Sequence, residues 1–175
     1  GTRNMNTKPI NVLFLCAHNA VRSIMAEAIL NREGMGRLRA YSAGPFPRGE
    51  VHPQTISILQ RMNYDTAGLR SKHWDEFTRP GAPEMDFVFT VCDVTAGETC
   101  PVWPGEEAMQ AHWPIPDPLD ATGTASTGTL AFAEAFRSLD TRISIFVNLR
   151  LDGLDRMRLQ SQLDHIGGGA DRAPA

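Results

Sequence analysis

The segment from Cys16 to Ser23, Cys-Ala-His-Asn-Ala-Val-Arg-Ser, places a guanidinium six residues after a thiol. A thiolate is a strong nucleophile, and the planar fork of Arg22 can bond two oxygens of a tetrahedral oxyanion at once. Backbone N–H groups in a tight turn before a helix also point at a bound anion, and the helix dipole would lower the pKa of Cys16. We therefore predict a nucleophilic Cys16 in an oxyanion-binding loop formed by the seven residues that follow it: Ala17, His18, Asn19, Ala20, Val21, Arg22 and Ser23.

Three other side chains of this loop have expected roles. Ser23 can donate a hydrogen bond to the thiolate. Asn19 suits a left-handed backbone position in the turn, and its amide would tie the loop to its surroundings. His18 is expected to shape the loop or line its rim, because a thiolate stabilised by the loop needs no separate base. The alternative for Cys16 is a buried thiol that serves only as a small apolar side chain.

Apolar periodicity predicts the elements that hold the loop. Short apolar runs predict strands over 11–15, 39–43 and 87–91, with a weaker strand over 110–115. Apolar residues at helical spacing predict a helix from Val21 to Gly34, a second from Pro53 with Ile56, Leu59 and Met62 inward, and a long third from Thr129, broken, to Leu163. Strands alternating with helices predict an α/β fold with an open, mostly parallel sheet, whose ligand sites lie at the carboxyl ends of the strands.

Composition sets the class of protein. The chain has 175 residues, 42% of them hydrophobic and 21% charged, which predicts one domain over 8–166 with flexible termini at 1–7 and 167–175. The net charge of −3, without a block of like charges, argues against nucleic acid, and no apolar run is long enough for a bilayer. Three cysteines form a poor disulfide framework, so we expect reduced thiols and a cytoplasmic location.

Further motifs accompany the Cys16 loop. They are Tyr-Ser-Ala-Gly at 41–44, Arg-Ser-Lys-His-Trp-Asp-Glu-Phe at 70–77, and Asp117 before Pro118. Together the motifs resemble the low-molecular-weight protein tyrosine phosphatase superfamily, and within it the arsenate reductases of that fold, over about residues 10–150. The resemblance implies a four-stranded parallel sheet flanked by helices, with Ser42 bracing Asn19. It also implies that Asp117 is the general acid that protonates the departing oxygen; the alternative is an aspartate that only initiates a turn.

Two departures from the phosphatases favour the reductases. Leu119 and Asp120 follow the Asp-Pro pair, where phosphatases usually carry tyrosines. Cys92 and Cys100 bracket a segment that resembles the redox loop of thioredoxin-coupled arsenate reductases, with seven residues between them where six are expected. The resemblance implies that Cys16 attacks arsenate, Cys92 attacks the Cys16 sulfur, and Cys100 attacks Cys92 in a loop that Gly97 allows to move.

The partners expected for such a reductase are arsenate or phosphate-like oxyanions and an external thiol reductant, thioredoxin or alternatively glutaredoxin. No bound cofactor and no metal are expected. Lys72 stands where some relatives carry an acidic residue that helps to hold potassium, which argues against potassium here. Three alternatives stay open: a phosphomonoester hydrolase with residual or principal phosphatase activity, a noncatalytic oxyanion-binding regulatory module, and two unrelated buried thiols at Cys92 and Cys100.

Overall fold

Four parallel strands form the sheet of the computed structural model. The structure describes residues 8–93, 97–105, 107–120, 125–151 and 155–168. The strands are β1 (Ile10–Leu15), β2 (Leu38–Ala43), β3 (Phe87–Thr90) and β4 (Met109–His112), in the order β2-β1-β3-β4. Leu15 pairs with Ala43 on one side and with Thr90 on the other, so three carboxyl ends lie level at the same edge. Ligand sites of open parallel sheets form at this edge.

Four helices follow or connect the strands in the described part of the chain. They are α1 (Arg22–Glu33), α2 (Pro53–Arg61), α3 (Ala125–Val147) and α4 (Arg156–Gly167). Two short 3-10 helices lie at Trp74–Phe77 and Pro118–Asp120. Pro53 is favourable at the start of α2 because the first helical N–H groups need no intrahelical partner. None of the described helices is both long enough and apolar enough to span a bilayer.

Both faces of the sheet are covered, which explains why β1 is apolar at consecutive positions. Val12 and Phe14 point into a large cluster to which all four helices contribute. Leu13 and Leu15 point to the other face. That second cluster is closed by residues outside the four helices: Trp74, Phe77, Trp103 and Ala108. The predicted parallel sheet is therefore confirmed, and the second face is covered by a 3-10 helix and loop residues.

The strand predictions are confirmed with one shortened element. The first three strands begin and end within one residue of the predicted bounds. β4 ends at His112, whereas the prediction extended it to 115. Trp113 still donates its N–H to Thr90 at 2.8 Å, but Pro114 has no N–H with which to continue the ladder.

The third helix, predicted to be broken, is two helices. α3 begins at Ala125, before the predicted Thr129, and ends at Val147, and Asp155 then caps α4 by accepting the N–H of Met157. Two other helix predictions need correction. In α2, Leu59 is buried as predicted, but Ile56 is half-buried and Met62 is 47% exposed. Gly167, predicted to begin a flexible end, is a buried residue of α4. The predictions for 1–7 and 169–175 lie outside the described residues.

Candidate active site

The predicted loop follows β1 directly, and Cys16 is only 4% exposed. Two backbone carbonyls of the loop bond the segment after β2. The carbonyl of Ala17 accepts the N–H of Phe46 at 2.9 Å, and the carbonyl of His18 accepts the N–H of Arg48 at 3.1 Å. The C=O of one residue and the N–H of the next point in opposite directions across a planar trans peptide. The amides after these carbonyls therefore face the inside of the loop, where an oxyanion would bind.

Asn19 holds the turn together. It is fully buried and has a φ of 44°, in the left-handed region that asparagine tolerates. Its Nδ2 donates to Ser23 Oγ at 2.9 Å, and its Oδ1 accepts the N–H of Lys72 at 2.9 Å. Asn19 thus ties the loop to α1 and to the segment before the first 3-10 helix. The expected bond from Ser23 to the thiolate stays a prediction.

Gly44 allows β2 to approach the loop closely. A Cβ at this position would lie 2.2 Å from the carbonyl oxygen of Cys16 and 2.6 Å from that of Ala17. The Gly44 N–H donates to the carbonyl of Lys72 at 3.1 Å, and Trp74 donates to the carbonyl of Gly44 at 3.1 Å. Only glycine fits between the loop and this strand end, which accounts for the last residue of the Tyr-Ser-Ala-Gly motif.

Arg22 is the first residue of α1 and is 4% exposed. Its Nη1 donates to Glu98 Oε1 at 2.8 Å and to the carbonyl of Ile115 at 2.9 Å, and its Nη2 lies 3.5 Å from Asp117 Oδ2. Its Nε has no partner in the described part of the chain. The guanidinium is therefore paired with two carboxylates, and Glu98 occupies the Nη1 position that an oxyanion would need.

Glu98 is a site residue that sequence reasoning missed. Its Oε2 also accepts the N–H of Asp93 at 3.2 Å, so the carboxylate is held at both oxygens. The available signal was an acidic residue between Cys92 and Cys100. The mouth of the site is a cavity of about 350 Å³ lined by residues of several segments: Ala17, His18, Arg22, Pro45, Phe46, Glu98, Thr99, Pro101, Asp117 and Asp120.

Asp117 and His18 both line the cavity at the mouth of the site. The two carboxylate oxygens of Asp117 have different partners. Oδ1 accepts the N–H of Leu119 at 3.0 Å at the start of a 3-10 helix, as an aspartate that initiates a turn would. Oδ2 faces Arg22, as a general acid at this site would. His18 is exposed at the rim, with Nδ1 3.0 Å from the carbonyl of Phe46. The catalytic role of Asp117 stays a prediction.

The electrostatics of Cys16 differ from the expectation. Burial raises the pKa of the thiol above its ordinary value, and the carboxylates of Glu98 and Asp117 raise it further. The guanidinium of Arg22 and the backbone N–H of His18 act in the opposite direction and are outweighed. The predicted depression of the Cys16 pKa is therefore wrong for this conformation, because burial of the thiol outweighs the positive charge of Arg22, and the two carboxylates add to the effect of burial.

A buried ammonium supports the loop from behind. Lys72 Nζ donates to the carbonyl of Arg70 at 2.9 Å and lies 3.5 Å from both Glu27 Oε1 and Ser42 Oγ. Ser42 donates to Glu27 at 2.7 Å, so its connection to Asn19 runs through Lys72, and the expected direct brace is corrected. Burial lowers the pKa of Lys72, while Glu27 raises it. Glu27 and Ser42 thus have a cationic partner that belongs to the chain itself.

Cys92 and Cys100 form a disulfide with a Cα–Cα distance of 5.8 Å, whereas Cys16 is free. The pair is oxidised in this structure, which is the state expected at the end of the thiol exchange, and the alternative of two unrelated thiols is wrong. Cys92 is fully buried, and Cys100 is partly exposed. Val91 donates its N–H to the carbonyl of Leu15 at 3.0 Å, so Cys92 and Cys16 follow adjacent residues of neighbouring strands. All three sulfurs thus lie at one sheet edge.

Comparisons with known proteins agree with this geometry. The arsenate reductase of Oceanobacillus iheyensis is 30% identical over 139 residues, which cover 77% of this chain and 93% of that protein. Among solved structures, the arsenate reductase from Archaeoglobus fulgidus has 27% identity and a TM-score of 0.62, covering 79% of this chain and 99% of that one. The Corynebacterium glutamicum thioredoxin-dependent arsenate reductase has 25% identity and a TM-score of 0.59, covering 81% of this chain and 62% of that one.

The family of the chain is identified by a match to a family-wide sequence model. The family described as low molecular weight phosphotyrosine protein phosphatase matches residues 11–156, which include the Cys16 loop, Cys92, Cys100 and Asp117. This match spans most of the 175 residues. The chain therefore belongs to the low molecular weight phosphotyrosine protein phosphatase family.

Proposed function

We propose that the protein reduces arsenate to arsenite with electrons from an external thiol reductant. The observation that carries this proposal is the bonded pair of Cys92 and Cys100 at the sheet edge that also holds Cys16. A phosphatase needs one nucleophilic thiol and has no use for a second and third. The similarity to arsenate reductases supports the same reaction.

In the first step, the Cys16 thiolate attacks arsenic in an arsenate held by the loop amides and Arg22. One arsenic–oxygen bond breaks, and Asp117 donates a proton so that the oxygen leaves as water. Arsenic stays pentavalent in the resulting thiol–arsenic adduct. Glu98 must leave Arg22 before arsenate binds, because Glu98 occupies the same Nη1 that the oxyanion would take.

The redox steps follow by thiol–disulfide exchange. The Cys92 thiolate attacks the Cys16 sulfur, a disulfide forms, and the electron pair of the sulfur–arsenic bond passes to arsenic, which leaves as trivalent arsenite. The Cys100 thiolate then attacks Cys92, forms the Cys92–Cys100 disulfide and releases Cys16 as a thiolate. The position of Cys92 supports this order. Val91 bonds the carbonyl of Leu15, so Cys92 lies beside Cys16, which follows Leu15.

The external reductant would regenerate the pair through its accessible sulfur. Cys100 is partly exposed and Cys92 is fully buried, so an incoming dithiol would attack Cys100. We propose thioredoxin as this reductant, with glutaredoxin as the alternative; the thioredoxin-dependent relative supports the choice. Such a cycle requires a compartment that keeps thiols reduced, so we place the protein in the cytoplasm.

Serine variants of the three cysteines test the relay. Cys16→Ser should abolish arsenite release, because a serine hydroxyl has no comparably stable anion at neutral pH. Cys92→Ser should release no arsenite but keep Cys16 available for alkylation. Cys100→Ser should release about one arsenite per protein and stall with a Cys16–Cys92 disulfide. Arsenite is measured after rapid quenching, and disulfides are mapped by mass spectrometry of the unreduced digest.

Two results would contradict the reductase. One is wild-type turnover in both Cys92→Ser and Cys100→Ser. The other is wild-type protein that releases no arsenite from arsenate when thioredoxin and its reductase, or glutaredoxin with glutathione, are supplied. Thioredoxin and glutaredoxin are compared in parallel, so the same assay identifies the reductant.

A second candidate is phosphomonoester hydrolysis on phosphotyrosine or small aryl phosphates. The observation in its favour is Asp117, whose carboxylate lines the same cavity as Arg22, as a general acid for an alkoxide leaving group would require. Brisk aryl-phosphate hydrolysis without arsenate reduction would replace the reductase with this activity. Oxyanion binding without either turnover would instead support a noncatalytic regulatory module.

A further inference from the structure

Three metal-ligating side chains meet beside the loop cysteines. Cys92 Sγ, Cys100 Sγ and a ring nitrogen of His112 all lie within 4.8 Å of one another. Cys92 lies just past the end of β3, and His112 is the last residue of β4, the neighbouring strand. Two of the three groups are therefore fixed by paired strands, and the third is brought to them by the loop that ends at Cys100.

The separation of these groups suits a small tetrahedral ion. His112 Nδ1 lies 3.7 Å from Cys100 Sγ. Bonds of about 2.3 Å to sulfur and about 2.0 Å to nitrogen at a tetrahedral angle separate the two ligand atoms by about 3.5 Å. The two sulfurs must separate, because they are bonded to each other in this structure, and the Thr90 hydroxyl must give up its contact with His112 Nδ1.

His112 Nδ1 lies between the cysteine pair and Thr90. It is 3.7 Å from Cys100 Sγ and 2.7 Å from Thr90 Oγ1. Nε2 is buried without a partner among the described residues, so Nδ1 is the ring nitrogen within reach of the sulfurs. A metal ion on Nδ1 would replace the contact of this nitrogen with the Thr90 hydroxyl.

We propose that the reduced Cys92 and Cys100 pair and His112 form a binding site for a thiophilic divalent cation, with Zn²⁺ as the natural occupant. Two thiolates and one imidazole match the ligand preference of Zn²⁺ and leave a fourth position for water. The two thiolates balance the charge of the ion. The site exists only in the reduced protein, because a disulfide sulfur offers no thiolate. The inference does not depend on which oxyanion the Cys16 loop accepts.

Binding and thiol exchange would exclude each other at these sulfurs. A thiolate that coordinates Zn²⁺ is less available to attack a disulfide or to be oxidised, so the ion would hold the pair in its reduced state. Conversely, oxidation to the observed disulfide would release the ion. The pair would thus be protected by metal until a competing oxidant or chelator removes it.

Cobalt is the probe because its spectrum reports both ligand type and geometry. The full-length protein is reduced, freed of reductant without oxygen and titrated with Co²⁺. We expect one equivalent to bind with thiolate-to-cobalt charge-transfer bands and the intense visible bands of tetrahedral Co²⁺, and Zn²⁺ to displace it. Cys92→Ser and Cys100→Ser should lose these bands, and Cys16→Ser should keep them. The oxidised wild type should show none.

The His112→Asn variant tests whether the imidazole is a ligand or whether the two thiolates alone bind the ion. It keeps a polar group near Thr90, and we expect Co²⁺ affinity to fall about 100-fold, since even groups that only orient metal ligands change affinity about 10- to 100-fold. His165→Asn, an exposed position on α4, is the control and should bind as the wild type does. Circular dichroism checks that each variant is folded. Absence of tetrahedral bands in the reduced wild type, or equal affinity in His112→Asn, would overturn the proposal.

Discussion

Replacing Glu98 with glutamine should raise the affinity of the oxidised protein for oxyanions. Glu98 accepts a hydrogen bond from Arg22 at 2.8 Å, and both side chains are largely buried. A sulfate or phosphate must displace this carboxylate to reach the guanidinium. Hydrogen bonds to charged groups contribute about 1.5 to 3 kcal/mol, so removing the competing charge should increase sulfate affinity about 10- to 100-fold. Isothermal titration calorimetry of the disulfide form measures the change.

The same variant should move the titration of Cys16. The negative charge of Glu98 helps to raise the pKa of the thiol, so neutralising Glu98 lowers that pKa and increases the thiolate fraction at a given pH. The pH profile of Cys16 alkylation by iodoacetamide should therefore shift to lower pH. Glu84→Gln, an exposed residue before β3 at the opposite edge of the sheet, is the matched control. Unchanged sulfate affinity in Glu98→Gln would refute the competition between carboxylate and oxyanion.

Three further changes have defined outcomes. Gly44→Ala should weaken sulfate binding and lower stability by about 1 to 3 kcal/mol in urea unfolding, because its Cβ collides with the Cys16 loop; Gly68→Ala, in open space, should do neither. Lys72→Met should lower the free energy of unfolding by about 3 kcal/mol in the same measurement, because it leaves the largely buried carboxylate of Glu27 without its cationic partner. Because Lys72 supplies this charge, wild-type sulfate affinity should be equal in potassium and sodium buffers. Arg22→Lys should lower sulfate affinity at least about tenfold by calorimetry, since lysine has no bidentate fork; equal affinity would remove Arg22 from the site.

The parts of the site that sequence predicts are those encoded locally. The apolar run of β1, the periodicity of α1 and the residue types between Cys16 and Ser23 lie within one short stretch, so the strand, loop and helix follow from neighbouring residues. Asn19 is a similar case, because its left-handed φ of 44° reflects an intrinsic tolerance of its residue type. The order of strands and helices likewise predicts which sheet edge carries the site.

The parts that sequence does not predict depend on contacts between distant residues. Glu98 is 76 positions from Arg22, and the backbone N–H of Lys72 is 53 positions from Asn19, so no local pattern reports either bond. The direction of the Cys16 pKa shift was predicted wrongly because its main cause is burial of the thiol, which depends on how the whole domain packs around the loop, with a smaller contribution from Glu98. The face of α2 was misassigned because Thr55, a polar residue, turns inward to donate to the carbonyl of Ala20 at 3.2 Å.

The buried ammonium behind the loop changes how the loop responds to its surroundings. A free cation at Glu27 and Ser42 would bind or dissociate according to its concentration. Each dissociation would leave the largely buried carboxylate of Glu27 without a positive partner. Lys72 is covalently attached to the same backbone that bonds Asn19, so its effective concentration is set by the chain and not by the medium. The entropy of holding this charge in place is lost once, during folding, and is not lost again at each binding event. The ionic support of the nucleophile loop is thereby part of the chain itself, supplied by Lys72.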